Sequence, residues 1–60
     1  MKAVVLFPDG RTVSFNADYY AEDSQKVTFY KKKEDSVTGE MIETGRFFIN
    51  QICGFCLKDK

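Results

Sequence analysis

Sixty residues hold one domain with a thin core and little room for a deep substrate pocket. Nine lysines and arginines balance nine acidic residues, so no net field draws in nucleic acid or an anionic membrane, and a basic site has to be a local patch. Six Phe and three Tyr suit strands and exclude disorder, while the absence of histidine removes the usual proton shuttle of an enzyme working near neutral pH.

The chain begins with an apolar run, residues 3–7, after Met1 and Lys2. That run is too short for a signal peptide or a membrane-spanning helix. The expectation is a cytoplasmic chain that does not enter a membrane, with both cysteines reduced. Pro8-Asp9-Gly10 follows, and each residue favours a turn: Pro presets φ, Asp bonds its own backbone, and Gly takes a left-handed position. Apolar β formers lie on both sides, so a hairpin is predicted.

The second strand alternates without interruption. Val13, Phe15, Ala17, Tyr19 and Ala21 fall on one face, and Ser14, Asn16, Asp18, Tyr20 and Glu22 on the other. A rival reading makes Asn16 the cap of a short helix running to Asp23, but the alternation favours the strand. Residues 26–33 form the third strand, with Val27 and Phe29 inward. Parity then asks for an odd loop, Asp23-Ser24-Gln25, which pairs Glu22 with Lys26, Ala21 with Val27, and Tyr19 with Phe29. Such a loop usually carries a glycine, and this one has none.

A polar connection, residues 34–39, ends in Gly39. The fourth strand spans about residues 40–48, and Gly45 within it predicts a bulge that re-aims Arg46, Phe47 and Phe48. Asn50-Gln51 reads as a short turn, residues 53–57 as a last strand, and the rest as a charged tail. The fold class is therefore all-β: one small domain with five antiparallel strands in a strongly curled sheet or barrel, and one helical turn near Asn50 to Ile52. Phe47-Phe48-Ile49, Asn50-Gln51-Ile52 and Gly54-Phe55 give a strand, a tight turn and a final strand. In this spacing the chain resembles SH3-like or Sm-like small barrels. The resemblance implies an architecture and carries no activity.

Three features carry candidate chemistry. Cys53-Gly54-Phe55-Cys56 has the C-x-x-C spacing of redox pairs and of half a zinc site. With only Leu57 to Lys60 after it, no helix that would lower a thiol pKa is expected, and two cysteines without histidine supply half the ligands of a structural zinc. The pair is a weak metal candidate across a symmetric dimer and reads more simply as two buried apolar side chains. Tyr30-Lys31-Lys32-Lys33 interleaves an aromatic with cations, as single-strand nucleic-acid binders do. In the register above, Tyr20, Tyr30 and Lys32 share the outer face, with Lys31 and Lys33 toward a rim. The competing reading is a solvated edge strand protected by its lysines.

The third feature is an apolar surplus. The first and last strands are apolar on both faces, more than one core needs, which predicts a partner surface. Val4, Leu6, Phe48 and Phe55 are its expected residues, and a homodimer is the simplest occupant, with another protein as the alternative. No catalytic constellation, glycine-rich phosphate loop or cofactor site is present in the sequence. The leading expectation is thus a non-enzymatic, self-associating interaction module. The alternative is a nucleic-acid-binding barrel using Tyr20, Tyr30, Lys31, Lys32 and Lys33.

Overall fold

A computed structural model describes residues 1–34 and 37–59. Asp35 and Ser36, inside the expected polar connection, and Lys60, in the charged tail, lie outside the described residues. Strands β1 (Lys2–Leu6) and β2 (Thr12–Asn16) form the expected hairpin, in register from Lys2 opposite Asn16 to Leu6 opposite Thr12. Its turn uses the predicted chemistry. The Gly10 N–H donates to the Phe7 carbonyl at 3.0 Å, and Gly10 has a φ of 91°. The Arg11 N–H donates to Asp9 Oδ1 at 3.0 Å, the side-chain-to-backbone bond for which Asp is favoured in turns.

The expected second strand is two strands. β2 ends at Asn16, and β3 (Tyr19–Glu22) starts after only Ala17 and Asp18. The Ala17 N–H donates to the Met1 carbonyl at 3.1 Å, whereas the Asp18 N–H donates to the Tyr30 carbonyl at 2.8 Å. Successive amides thus pair with different sheets, and the bend between them inverts the alternation. Ala17 and Phe15 face the core, and the next inward side chain is Tyr20 rather than Tyr19. The rival helix at this segment is absent.

The turn after β3 corrects the expected register by one residue. Tyr19 pairs with Tyr30, Tyr20 with Phe29, Ala21 with Thr28 and Glu22 with Val27, in β4 (Lys26–Lys32). Asp23 supplies what glycine would have supplied in an odd loop. Its Oδ1 accepts the N–H groups of Gln25 at 2.7 Å and Lys26 at 2.8 Å, and its own N–H donates to the Lys26 carbonyl at 2.9 Å. An even turn capped by a carboxylate replaces an odd turn capped by glycine, and the bend at Ala17 and Asp18 absorbs the parity change.

β5 (Met41–Phe48) pairs with β4, and the register shifts where Phe29 faces Gly45 and Tyr30 faces Glu43. Thr44 is the extra residue, so the bulge sits where Gly45 predicts it. A single 3-10 turn, Ile49–Gln51, leads to β6 (Gly54–Lys58), close to the expected helical turn and last strand. The six strands make two antiparallel three-stranded sheets, β2-β1-β6 and β3-β4-β5.

The core lies between them. Ala3, Val5, Ala17, Val27 and Phe29 are buried, and Phe7, Phe15, Phe47, Ile52, Phe55 and Leu57 pack partly buried around them. Phe29 stands at the centre of the aromatic cluster, 5.2 Å from Phe15, 5.7 Å from Phe55 and 6.1 Å from Phe47 between ring centroids. Gly45 makes room for this cluster. A Cβ there would lie 3.1 Å from Phe15 Cζ and 3.2 Å from Phe47 Cε2. Gly45→Ala is therefore expected to lower stability by about 1–3 kcal/mol through overpacking, read as an earlier urea midpoint.

Candidate anion-binding cleft

Asp18, in the bend after β2, lines an open concavity. β1 begins there, and β4 and β6 end there. The cleft has a volume of about 980 Å³. Lys2 of β1 and Lys58 of β6 are register partners, and both line it. Lys31, Lys32 and Lys33 line it from β4 and the residue after it. Five of the six described lysines therefore meet at one place, contributed by three segments distant in sequence.

Three acidic residues share the lining: Asp18, Glu34 and Asp59. Asp18 is occupied by the fold. Its Oδ2 accepts the Lys32 N–H at 2.9 Å, and its Oδ1 lies 3.3 Å from the amino group of Met1. The Lys32 N–H, then the Met1 amine, hold its carboxyl below the ordinary value of 3.8. Lys33 Nζ reaches Glu40 Oε2 at 3.6 Å. Among the described residues, Lys2, Lys31, Lys32 and Lys58 have no carboxylate within ion-pair distance. Five lysines and the Met1 amine share the lining with three carboxylates, so a neutral chain has gathered a net positive charge in one concavity.

The neighbouring aromatics rearrange relative to expectation. With the register moved by one, Tyr30 and Lys32 share the outward face of the second sheet with Tyr19. Tyr20 does not join them. It lies on the inward side, its ring 5.2 Å from Phe55 and 6.3 Å from Phe29, bridging the two sheets. Tyr19 is 52% exposed. Neither tyrosine lines the cleft, but each adjoins a lining residue in the chain, Tyr19 following Asp18 and Tyr30 preceding Lys31.

The apolar residues expected to form one partner surface fall in three places. Val4 and Leu6 lie on the outward face of the first sheet, Val4 half-buried and Leu6 exposed. Phe48 is exposed on the outward face of the second sheet, opposite Lys26. Phe55 turns inward, half-buried against Phe29 and Tyr20. Much of the terminal surplus is thereby taken up by the core.

Both cysteines are free and exposed, which corrects their reading as buried side chains. Cys53 precedes β6 and donates its N–H to the Leu6 carbonyl at 2.7 Å, and Cys56 pairs opposite Val4. β6 is an edge strand of a thin domain, so nothing covers that side. Among the described residues no group of three or more His, Cys, Asp or Glu side chains could hold a metal ion. Both thiols are expected to react with a thiol reagent in the native protein at the rate seen in urea. Reaction only after unfolding would contradict their exposure.

Asp23, like Asp18, is held below the ordinary carboxylate value, first by the N–H groups of Gln25 and Lys26. A carboxyl depressed in the folded state adds stability above its unfolded value, and that stability is lost as pH falls through the folded value. The melting temperature is expected to fall on acidification below about 3.8, and Asp23→Asn is expected to flatten that acid limb. An identical pH profile in the variant would contradict the role given to Asp23.

Comparison of the chain with protein-family models, with curated proteins and with solved structures finds no match. Among the described residues no helix is long and apolar enough to cross a membrane.

Proposed function

We propose that this domain is a small, non-enzymatic nucleic-acid-binding module that holds the phosphate backbone in its lysine cleft. The convergence of Lys2, Lys31, Lys32, Lys33 and Lys58 carries the proposal. Phosphate contacts supply nearly all non-specific affinity for nucleic acid and require local positive charge rather than a basic chain. We place the domain architecturally with SH3-like or Sm-like small barrels. Support comes from the bent β2–β3 segment shared by the two sheets and from the 3-10 turn before the last strand. A cytoplasmic setting fits two unpaired thiols.

The test is a salt titration of binding to mixed-sequence oligonucleotides. With about four phosphates engaged on a single strand, a fourfold rise in monovalent salt lowers affinity about 50-fold. Absence of binding at low salt removes the proposal, because phosphate contacts are strongest there.

A second reading keeps self-association, on a smaller surface than first expected. Val4, Leu6 and Cys56 lie together on the outward face of the first sheet, and Leu6 is 42% exposed. Light scattering at high micromolar concentration decides it: a dimer supports this face, and a monomer ends the reading.

A further inference from the structure

We infer that the ligand of the cleft is single-stranded and that Tyr19 and Tyr30 form its base-stacking platform. The inference rests on the lysine-cleft reading and specifies the nucleic acid it takes. Tyr19 and Tyr30 are register partners on adjacent antiparallel strands, and their side chains point outward from the same face. Side chains directly opposite on such a pair have Cβ atoms about 4.5–5.5 Å apart, so the two phenol rings offer neighbouring but separate stacking surfaces on one face.

The platform is joined to the cleft by the backbone itself. The Asp18 N–H donates to the Tyr30 carbonyl at 2.8 Å, and the Lys32 N–H donates to Asp18 Oδ2 at 2.9 Å. Tyr30 and Lys32 are two residues apart on one strand and share its outward face. A strand bound along β4 therefore meets a ring and then a cation at about 7 Å spacing. Bases stack on the rings while phosphates run past Lys32 into the cleft that Lys31 and Lys58 also line. Glu43 is the register partner of Tyr30 on β5, and Arg46 Nη2 donates to its Oε1 at 2.8 Å.

A duplex hides its base faces in its own stack, whereas a single strand exposes them, so this pairing of rings and cations favours a single strand. The tyrosines contribute nothing to a polyanion without bases. That difference separates the inference from the reading beneath it.

The experiment measures fluorescence anisotropy with three competitors: a mixed-sequence single strand, as DNA and as RNA, the same sequence as a duplex, and inorganic polyphosphate. The single strands bind more tightly than the duplex. Tyr19→Ala and Tyr30→Ala each weaken single-strand binding about 10-fold and leave polyphosphate binding unchanged. Tyr19→Phe, which keeps the ring, binds like the parent. Tyr19→Leu gives the same separation as the alanine variant if that variant unfolds. Equal losses on single strand and polyphosphate, no loss on either, or preference for the duplex overturns the stacking platform while leaving the lysine cleft standing. A parent protein that binds none of the competitors overturns both.

Discussion

The double variant Lys31→Glu, Lys58→Glu is expected to lose nucleic-acid binding by on the order of 100-fold at low salt. The two lysines come from different strands, β4 and β6, and meet only because the cleft exists. Neither has a carboxylate within ion-pair distance among the described residues, and the one internal interaction lost is the through-space attraction of Lys31 for Asp18. Surface changes of this kind move stability by only about 0.5 kcal/mol, so the melting temperature stays near that of the parent. The control is Lys26→Glu. Lys26 lies away from the cleft and pairs with Asp23 at 3.2 Å, so its reversal should cost binding little. Anisotropy titrations of the three proteins at one salt concentration check this. Equal losses in all of them would mean that binding follows total charge and not the cleft.

The second large effect is on folding. Phe29→Ala removes the central ring of the core, which is fully buried and in contact with Phe15, Phe47, Phe55 and Tyr20. Truncating a buried Phe to Ala costs about 3–5 kcal/mol. A domain of this length has a total stability of about 3–9 kcal/mol, so the variant is expected to be largely unfolded or melted near ambient temperature. Phe48→Ala is the matched control, because Phe48 is 51% exposed on the outward face. It should shift the urea midpoint only slightly. Comparable shifts in the two variants would contradict the assignment of inward and outward faces.

Features closed by bonds between near neighbours are legible in the sequence, and features that depend on distant residues are not. Pro8-Asp9-Gly10 closes its hairpin by bonds spanning two or three residues, so its chemistry is complete in the sequence. Gly45 announced its bulge for the same reason, since a missing Cβ is visible without the rings that need the space. Val27 and Phe29 were legible as core from alternation alone.

The bend at Ala17 and Asp18 was not legible. Its residues continue the alternation, and only their different partners, Met1 and Tyr30, reveal the change of sheet. That one inversion, with the even turn at Asp23, exchanged Tyr19 for Tyr20 on the outward face. The absence of glycine after Glu22 was the available clue to the even turn, and a carboxylate able to take two amides was its remedy.

The cleft was half legible. The run from Lys31 to Lys33 stands out, but strand alternation argued for dispersing it and the balanced charge argued against a basic site. Lys2 and Lys58 joined it through the pairing of the two terminal strands, which no local pattern encodes. Cysteine favours burial by type, whereas Cys53 and Cys56 are exposed beside and on the edge strand β6, which no local pattern marks as open.

The central claim is that one cleft, its lining residues adjoined in the chain by Tyr19 and Tyr30, holds a nucleic-acid strand. Its most direct measurement is a titration of isotopically labelled protein with a mixed-sequence single strand of about 12 nucleotides, followed by two-dimensional NMR. The account predicts that amide signals of Lys2, Asp18, Tyr19, Tyr30, Lys31, Lys32 and Lys58 move together, while those of Leu6, Ser14 and Phe48 stay in place. Shifts centred on Leu6 and Phe48, or no shifts at low salt, would contradict it.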